Sequence, residues 1–347
     1  MKINRDFSID FIRCISCFMI VGIHSTPSFM NNGSLSDAVN NVLKAIYHVG
    51  LPTFFVISGY VILSKKIENI FSWYLSRLIS IAVPFLIISY IHFSYVNDNA
   101  LTLQNIIIFL KLTLTSNTAI SIHFWFVYAI IGIYIISPAI SYLFSGISGR
   151  ESLVALIIFT LVDAVNTNFS IIQRFTNAQN IFLPPSISVW IFYFMIGGFL
   201  FKCRDYIRFW MSLSMLILGL LTTVTMTYVS AKFSLPLGQY DTNASMVIYT
   251  IGFFMFTLAL GEKLKHKISI RLVNFISNQS YIIYLIHVIV LTMFYRNLPW
   301  LTYNTQSNNL HFIITIICFI TSMLLSYIIG FPINKIISFL RARIDKR

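Results

Sequence analysis

Ten apolar runs of bilayer-spanning length divide this chain and leave it few ways to fold. They fall near residues 7–27, 43–63, 73–96, 124–144, 151–169, 188–201, 209–230, 244–261, 278–296 and 310–331. A helix needs about 20 apolar residues to cross a bilayer core. Within lipid only helices and closed barrels satisfy their own backbone. The pattern predicts an all-α, polytopic membrane bundle of about ten transmembrane helices. The run at 188–201 is short and follows Pro184-Pro185. The stretch 103–115 is apolar but shorter than a span and interrupted by Lys111, which suits a re-entrant or interfacial helix. Charged residues make up 10% of the chain, against about 25% in a soluble domain. No polar stretch is long enough for a separate soluble domain. Residues 1–347 therefore read as one membrane domain, with a bundle over 7–331 and a basic cytoplasmic tail over 332–347.

The net charge of +13 suggests nucleic acid until the charges are placed. With both termini cytoplasmic, eighteen of the 24 Lys and Arg residues fall on inside segments, five fall outside, and Arg13 lies within a span. That is the positive-inside bias, so much of the charge is topological and no nucleic-acid partner is implied. The same face can attract anionic lipid or a phosphorylated substrate. Asp6, Asp10 and Arg13 interrupt the first apolar run, and no small-residue cleavage site follows it, so it reads as a retained span. Cys14-x-x-Cys17 lies inside that span without a second pair. Packing residues are expected there, not a metal site or a disulfide.

The chemistry concentrates in the first run, FSIDFIRCISCFMIVGIHSTP. Intramembrane ionisable groups are rare and usually face a bundle interior or a wet cavity. Asp10, Arg13, Cys17 and His24 are spaced by three, four and seven, which sets them on one helical stripe. Arg13 and His24 are eleven residues apart, about three turns or roughly 16 Å. One face thus offers a cation near the inner side and a titratable base beyond the midplane. A snorkelling arginine, a packing histidine and a self-neutralising Asp10–Arg13 pair are the plainer readings. Other spans carry Ser58-Gly59-Tyr60, Trp73-Tyr74 with Arg77 and Pro84, His123 with Trp125, and Tyr284 with His287. Ser-Gly in a helix permits close packing. Trp and basic residues at span ends are common interface anchors. His287 is a second intramembrane histidine.

An acidic residue, Arg13, ten residues and then His24, on the first of ten spans, resembles the membrane acyltransferase 3 family of bacterial surface-glycan O-acyltransferases. Further pieces match in order: FVISGY at 55–60, Arg77 before Pro84, HFWFV at 123–127 with Tyr134 and Pro138, Phe194 to Gly198 before a basic loop, and SYIIYLIH at 280–287. The resemblance covers nearly the whole chain. Its closest flavour is the stand-alone O-acetyltransferases of enterobacterial common antigen. One departure concerns the third span, where many members carry two arginines three apart. This chain has Arg77 and then Ser80, so Lys65, Lys66 or Arg208 is expected to substitute. Some members also carry an extracytoplasmic hydrolase-like domain. This chain ends at a basic tail, so the membrane domain is expected to act alone or with a glycan-assembly partner protein.

The resemblance implies a multi-pass protein of the bacterial inner membrane. It would move an acyl group, by default acetyl, from cytosolic acyl-CoA to a hydroxyl of a surface or lipid-linked glycan. It implies no bound cofactor and no metal; acetyl-CoA or another acyl-CoA is a co-substrate. His24 would act as general base or transient acyl carrier, with Arg13 binding the donor or orienting His24, and Asp10 holding Arg13. Arg77, Lys65, Lys66 and Arg208 would bind the donor. Ser58, Gly59, Tyr60, His123, Trp125, Tyr284 and His287 would line the acceptor path. Two alternatives stand beside this. One is a transporter or exporter of a glycan or small polar substrate. The other is a different membrane acyltransferase family built on a later histidine such as His287.

Overall fold

The computed structural model describes residues 6–27, 35–97, 101–115, 118–176, 187–233, 240, 243–298 and 308–344. Every regular element among them is helical. In chain order these are α1 (Phe7–Ser25), α2 (Leu35–His48), α3 (Gly50–Ile62), α4 (Ile70–Val96), α5 (Leu103–Thr115), a 3-10 turn (Ile122–Phe124), α6 (Trp125–Ser145), α7 (Gly149–Thr176), α8 (Val189–Cys203), α9 (Phe209–Phe233), α10 (Ala244–Leu264), α11 (Ile270–Asn297) and α12 (Asn308–Ile344). Nine helices among the described residues are long and apolar enough to cross a membrane.

Most of the expected spans are recovered, with differences at several of them. The run at 188–201 is the 15-residue helix α8, about 22 Å long at 1.5 Å per residue. The span at 43–63 is preceded by polar turns and is built from α2 and α3, which meet at Val49. The Val49 carbonyl at that joint accepts both the N–H and the hydroxyl of Thr53, at 3.2 and 2.6 Å. The stretch 103–115 is the 13-residue helix α5. The stretch read as a cytoplasmic tail from 332 continues α12 without a break through Ile344, and residues 345–347 lie outside the described residues. Pro184-Pro185 also lie outside them.

The chain divides into two compact units. The first comprises residues 1–66, 140–277 and 304–315; the second comprises 67–139, 278–303 and 316–347. In the first unit α1 packs against α2, α3 and α10, while α3 packs against α8 and α10 against α9. Glycines set the closest of these contacts. A Cβ on Gly59 would stand 1.7 Å from the Phe194 carbonyl oxygen, and one on Gly197 would stand 2.1 Å from that of Val56. Helices α3 and α8 therefore meet backbone to backbone, an approach that small residues permit in membrane bundles. In the second unit, side chains bond to carbonyls across helices. The Tyr281 hydroxyl on α11 donates to Ile81 O on α4 at 3.1 Å, Tyr128 on α6 donates to Thr113 O on α5 at 2.7 Å, and Tyr74 donates to Ile135 O.

Candidate active site

Helix α1 is capped at its start by Asp6, whose side chain accepts from the Ser8 and Ile9 N–H groups at 2.9 and 3.5 Å. Asp10 follows in the first turn, where a carboxylate complements the helix dipole. It is 3% exposed, and its Oδ1 accepts a hydrogen bond from the Ser277 hydroxyl on α11. Arg13 Nη1 stands 3.6 Å from the same oxygen and donates to Ser277 Oγ at 3.3 Å. Ser277 thus bonds to both members of the Asp10–Arg13 pair. The Arg13 side chain keeps 29% of its surface exposed against 5% for Asp10. The guanidinium is oriented yet reachable, while the carboxylate is enclosed. Cys14 Sγ donates to Val273 O at 3.2 Å, which ties the same face of α1 to α11.

Three turns on, half-buried His24 lies in the last turn of α1. The final carbonyls of a helix lack partners within it. Here a lysine from α2 supplies one. Lys44 Nζ donates to Ile23 O and to Thr26 O, each at 2.7 Å, so the ammonium bridges the backbone on both sides of His24. It also acts on the imidazole electrostatically. One turn along α2, His48 Nδ1 lies 2.8 Å from Lys44 O. A carbonyl only accepts, so Nδ1 carries the proton and Nε2 holds the lone pair in neutral His48. The His48 ring stacks on Tyr240, with centroids 3.8 Å apart and planes 13° apart. Tyr240 has φ +59°, a left-handed conformation that costs a non-glycine residue about 1–2 kcal/mol. Ser25 Oγ pairs with Thr315 Oγ1 at 2.5 Å, which places the start of α12 beside the end of α1.

A test follows for the cap. Lys44→Met removes two charge-assisted bonds to helix-end carbonyls. Hydrogen bonds to charged groups contribute about 1.5–3 kcal/mol each, so the variant should unfold at a distinctly lower temperature in detergent, with Lys44→Arg recovering part of the loss. An unchanged melting temperature would show that the bridge does not hold α1.

The other expected residues are distributed as follows. In the first unit, Ser58 Oγ bonds within its own helix to Phe54 O at 2.9 Å, and Gly59 lies against Phe194. The Tyr60 ring packs 5.2 Å from both Phe201 and Phe254, and its side chain hydrogen-bonds Arg204. Lys65, Lys66 and Arg208 are exposed, and Lys66 lies over the Tyr142 ring at 5.0 Å. In the second unit, His123, Tyr284 and His287 come together and a third histidine, His92, joins them. His92 and His123 both reach Leu285 O, at 2.9 and 3.2 Å, and the His123 and His287 rings are 5.0 Å apart. Tyr284 donates to His123 O, and His287 Nδ1 bonds Tyr284 O on its own helix at 2.5 Å. Trp125 meets Phe126 edge-on. Arg77 lies between two rings, its guanidinium carbon 5.7 Å from the centroids of both Trp73 and Tyr134. Among the described residues no group of three His, Cys, Asp or Glu could hold a metal.

A buried carboxylate and a serine aiming a reachable guanidinium, and a titratable imidazole three turns along the same helix, can serve group transfer between an anionic donor and a hydroxyl. A family model for an acyltransferase domain matches residues 6–331. The chain belongs to the acyltransferase 3 family. No curated protein and no solved structure matched it. The protein is therefore a multi-pass membrane acyltransferase. Membership in this family decides against the exporter reading, and against an acyltransferase of another family built on His287.

Sequence reasoning passed over several polar residues that this acyltransferase gathers. Lys44 and His48 sit at i and i+4 in the second span, where the rule on intramembrane ionisable groups applies to them as it does to His24. His92 falls inside the third run, near its end, and carried the same signal. Ser277 and Tyr240 carried none.

Proposed function

We propose that this acyltransferase moves an acyl group, by default acetyl, from cytosolic acyl-CoA to a hydroxyl of a surface or lipid-linked glycan at the bacterial cytoplasmic membrane. The observation that carries the reading is the α1 stripe. Arg13 is held by Asp10 and Ser277 at one end, and His24 is flanked by Lys44 at the other. The positive-inside bias of the sequence supports an orientation with the Arg13 end of α1 toward the cytosol, the side of the proposed donor.

In the transfer, the acceptor oxygen attacks the thioester carbonyl carbon while the His24 imidazole takes the hydroxyl proton. A C–O bond forms and the C–S bond breaks. The proton then passes to the departing thiolate, which leaves as free CoA. Arg13 orients the donor through its reachable guanidinium. In the carrier variant, a His24 nitrogen attacks the carbonyl first and the C–S bond breaks to release the thiolate; the acceptor hydroxyl then displaces the imidazole, and its proton ends on the thiolate or the imidazole. General-base assistance contributes about 10²–10⁴-fold in such reactions.

Mass spectrometry of surface polysaccharide, from cells with the gene and cells without it, tests the reading. Loss of one defined O-acyl group on deletion is expected, and its mass names the group. An unchanged O-acyl pattern in the deletion strain would overturn the glycan assignment.

A further inference from the structure

A cavity of about 300 Å³ opens between α11 and α12, within the second compact unit. Gln279 of α11 lines it, with Tyr327, Phe331, Asn334, Lys335 and Ser338 of α12. Gln279 is only 8% exposed, and its Oε1 has no hydrogen-bond partner among the described residues. A buried polar atom without a partner is destabilising, and native structures keep few of them. Gly330 faces that oxygen: a Cβ there would stand 2.7 Å from it, so α12 closes on the amide where it carries no side chain. The terminal torsion of a glutamine is broad and roughly two-fold. A small rearrangement therefore turns either the oxygen or the NH₂ group toward the cavity.

The α12 wall supplies a cation and an acceptor. The Lys335 ammonium lies over the Phe331 ring at 4.5 Å and makes no hydrogen bond or ion pair among the described residues. Arg341, farther along the helix, is already engaged with Ser80 Oγ on α4. The Ser338 hydroxyl donates to Lys335 O at 2.9 Å, which leaves its oxygen to accept. A free ammonium beside an accepting oxygen and an amide suits an anion that also carries hydroxyls.

The approach to the cavity is apolar. Leu324, Ile328 and Phe331 are all exposed, and with Lys335 they are spaced by four, three and four, which makes one ridge along α12. This helix is long and apolar enough to cross a membrane, so the ridge meets lipid chains and ends at the cation. A soluble anion would use Lys335 and leave the ridge idle. An amphiphile uses both. Lys335, Arg341 and Arg343 also make this end of α12 basic, and basic segments beside a span attract anionic lipid.

We propose that the α11–α12 cavity binds the headgroup of an anionic phospholipid. The phosphate meets the Lys335 ammonium, the headgroup hydroxyls meet Ser338 and the Gln279 amide, and an acyl chain lies along the Phe331–Ile328–Leu324 ridge. The site does not depend on the acyl-CoA reading.

The test follows thermal unfolding of the full chain in detergent as phosphatidylglycerol is added, with phosphatidylcholine as the comparison lipid of no net charge. A ligand that binds the folded state raises its melting temperature. Phosphatidylglycerol should do so at concentrations where phosphatidylcholine does not. Lys335→Gln, at an exposed position, should require about tenfold or more phosphatidylglycerol for the same shift, the scale of a lost charge-assisted bond. Gln279→Leu should also weaken the response, yet melt no lower than wild type without lipid, because it removes a partnerless buried amide. Arg343→Gln takes one charge from the same helix end outside the cavity and should keep the full response. Equal shifts from both lipids, or none from either, overturn the site. So does a full response in Lys335→Gln. A response lost as much in Arg343→Gln as in Lys335→Gln overturns it in favour of diffuse attraction to a basic helix end. A shift reproduced by inorganic phosphate alone overturns the lipid assignment in favour of a soluble anion.

Discussion

Replacing His24 with alanine should reduce acyl transfer by at least a hundredfold while the protein still inserts and folds. The expected size is that of a lost base or nucleophile in acyl transfer. His24 is half-buried at the last turn of α1, and the groups that hold that turn are backbone carbonyls bridged by Lys44. Those bonds do not use the imidazole, so its removal need not loosen the helix. Surface O-acyl content reports the chemistry, and the melting profile in detergent reports the fold. Near-normal transfer from His24→Ala would sink both roles proposed for it. The two roles separate in a second measurement. With labelled acyl donor and no acceptor, an acyl carrier retains label on the wild-type protein and loses it in His24→Ala. A general base retains none in either.

Gly59→Leu is the largest stability change expected outside the site. The Phe194 carbonyl oxygen would lie 1.7 Å from the new Cβ, with the Phe194 carbonyl carbon at 2.7 Å. Both are backbone atoms of α8, so no side chain can rotate out of the way. The helices must separate, and overpacking of this kind costs about 3 kcal/mol or more. Gly59→Leu should therefore fail to accumulate in the membrane or melt far below wild type, and Gly197→Leu should do the same from the other side of the contact. A near-normal melting temperature in Gly59→Leu would mean that α3 and α8 are not this close. The small residue in Ser58-Gly59-Tyr60 has a packing reason that needs no acceptor path.

The spans were legible because membrane-length helices announce themselves by composition, and α4, α6, α9 and α10 begin and end close to the expected limits. Helix ends that carry charge were less legible. Residues 333–344, INKIISFLRARI, keep apolar residues at helical spacing among Lys335, Arg341 and Arg343, so α12 runs on as a basic amphipathic helix. The second span was expected from residue 43, yet α2 begins at Leu35 and carries Lys44 and His48 in its later turns. The Asp10–Arg13 pair was readable because i, i+3 neighbours meet on any helix. Ser277, Tyr240 and Arg341 were not, because their partners lie far away in the chain and no periodicity encodes them.

The length of α12 has an energetic consequence for any anionic ligand at its end. Thirty-seven residues make a helix of about 55 Å, well beyond a hydrocarbon core of about 30 Å. A helix of that length cannot lie wholly within the hydrocarbon if it crosses the bilayer, and its basic residues, Lys335, Arg341 and Arg343, all lie in its last ten residues. Moving a charged oxygen from water into hydrocarbon is among the costliest transfers a protein can arrange. A charged group that meets a helix end lying beyond the hydrocarbon core keeps its hydration and avoids that cost.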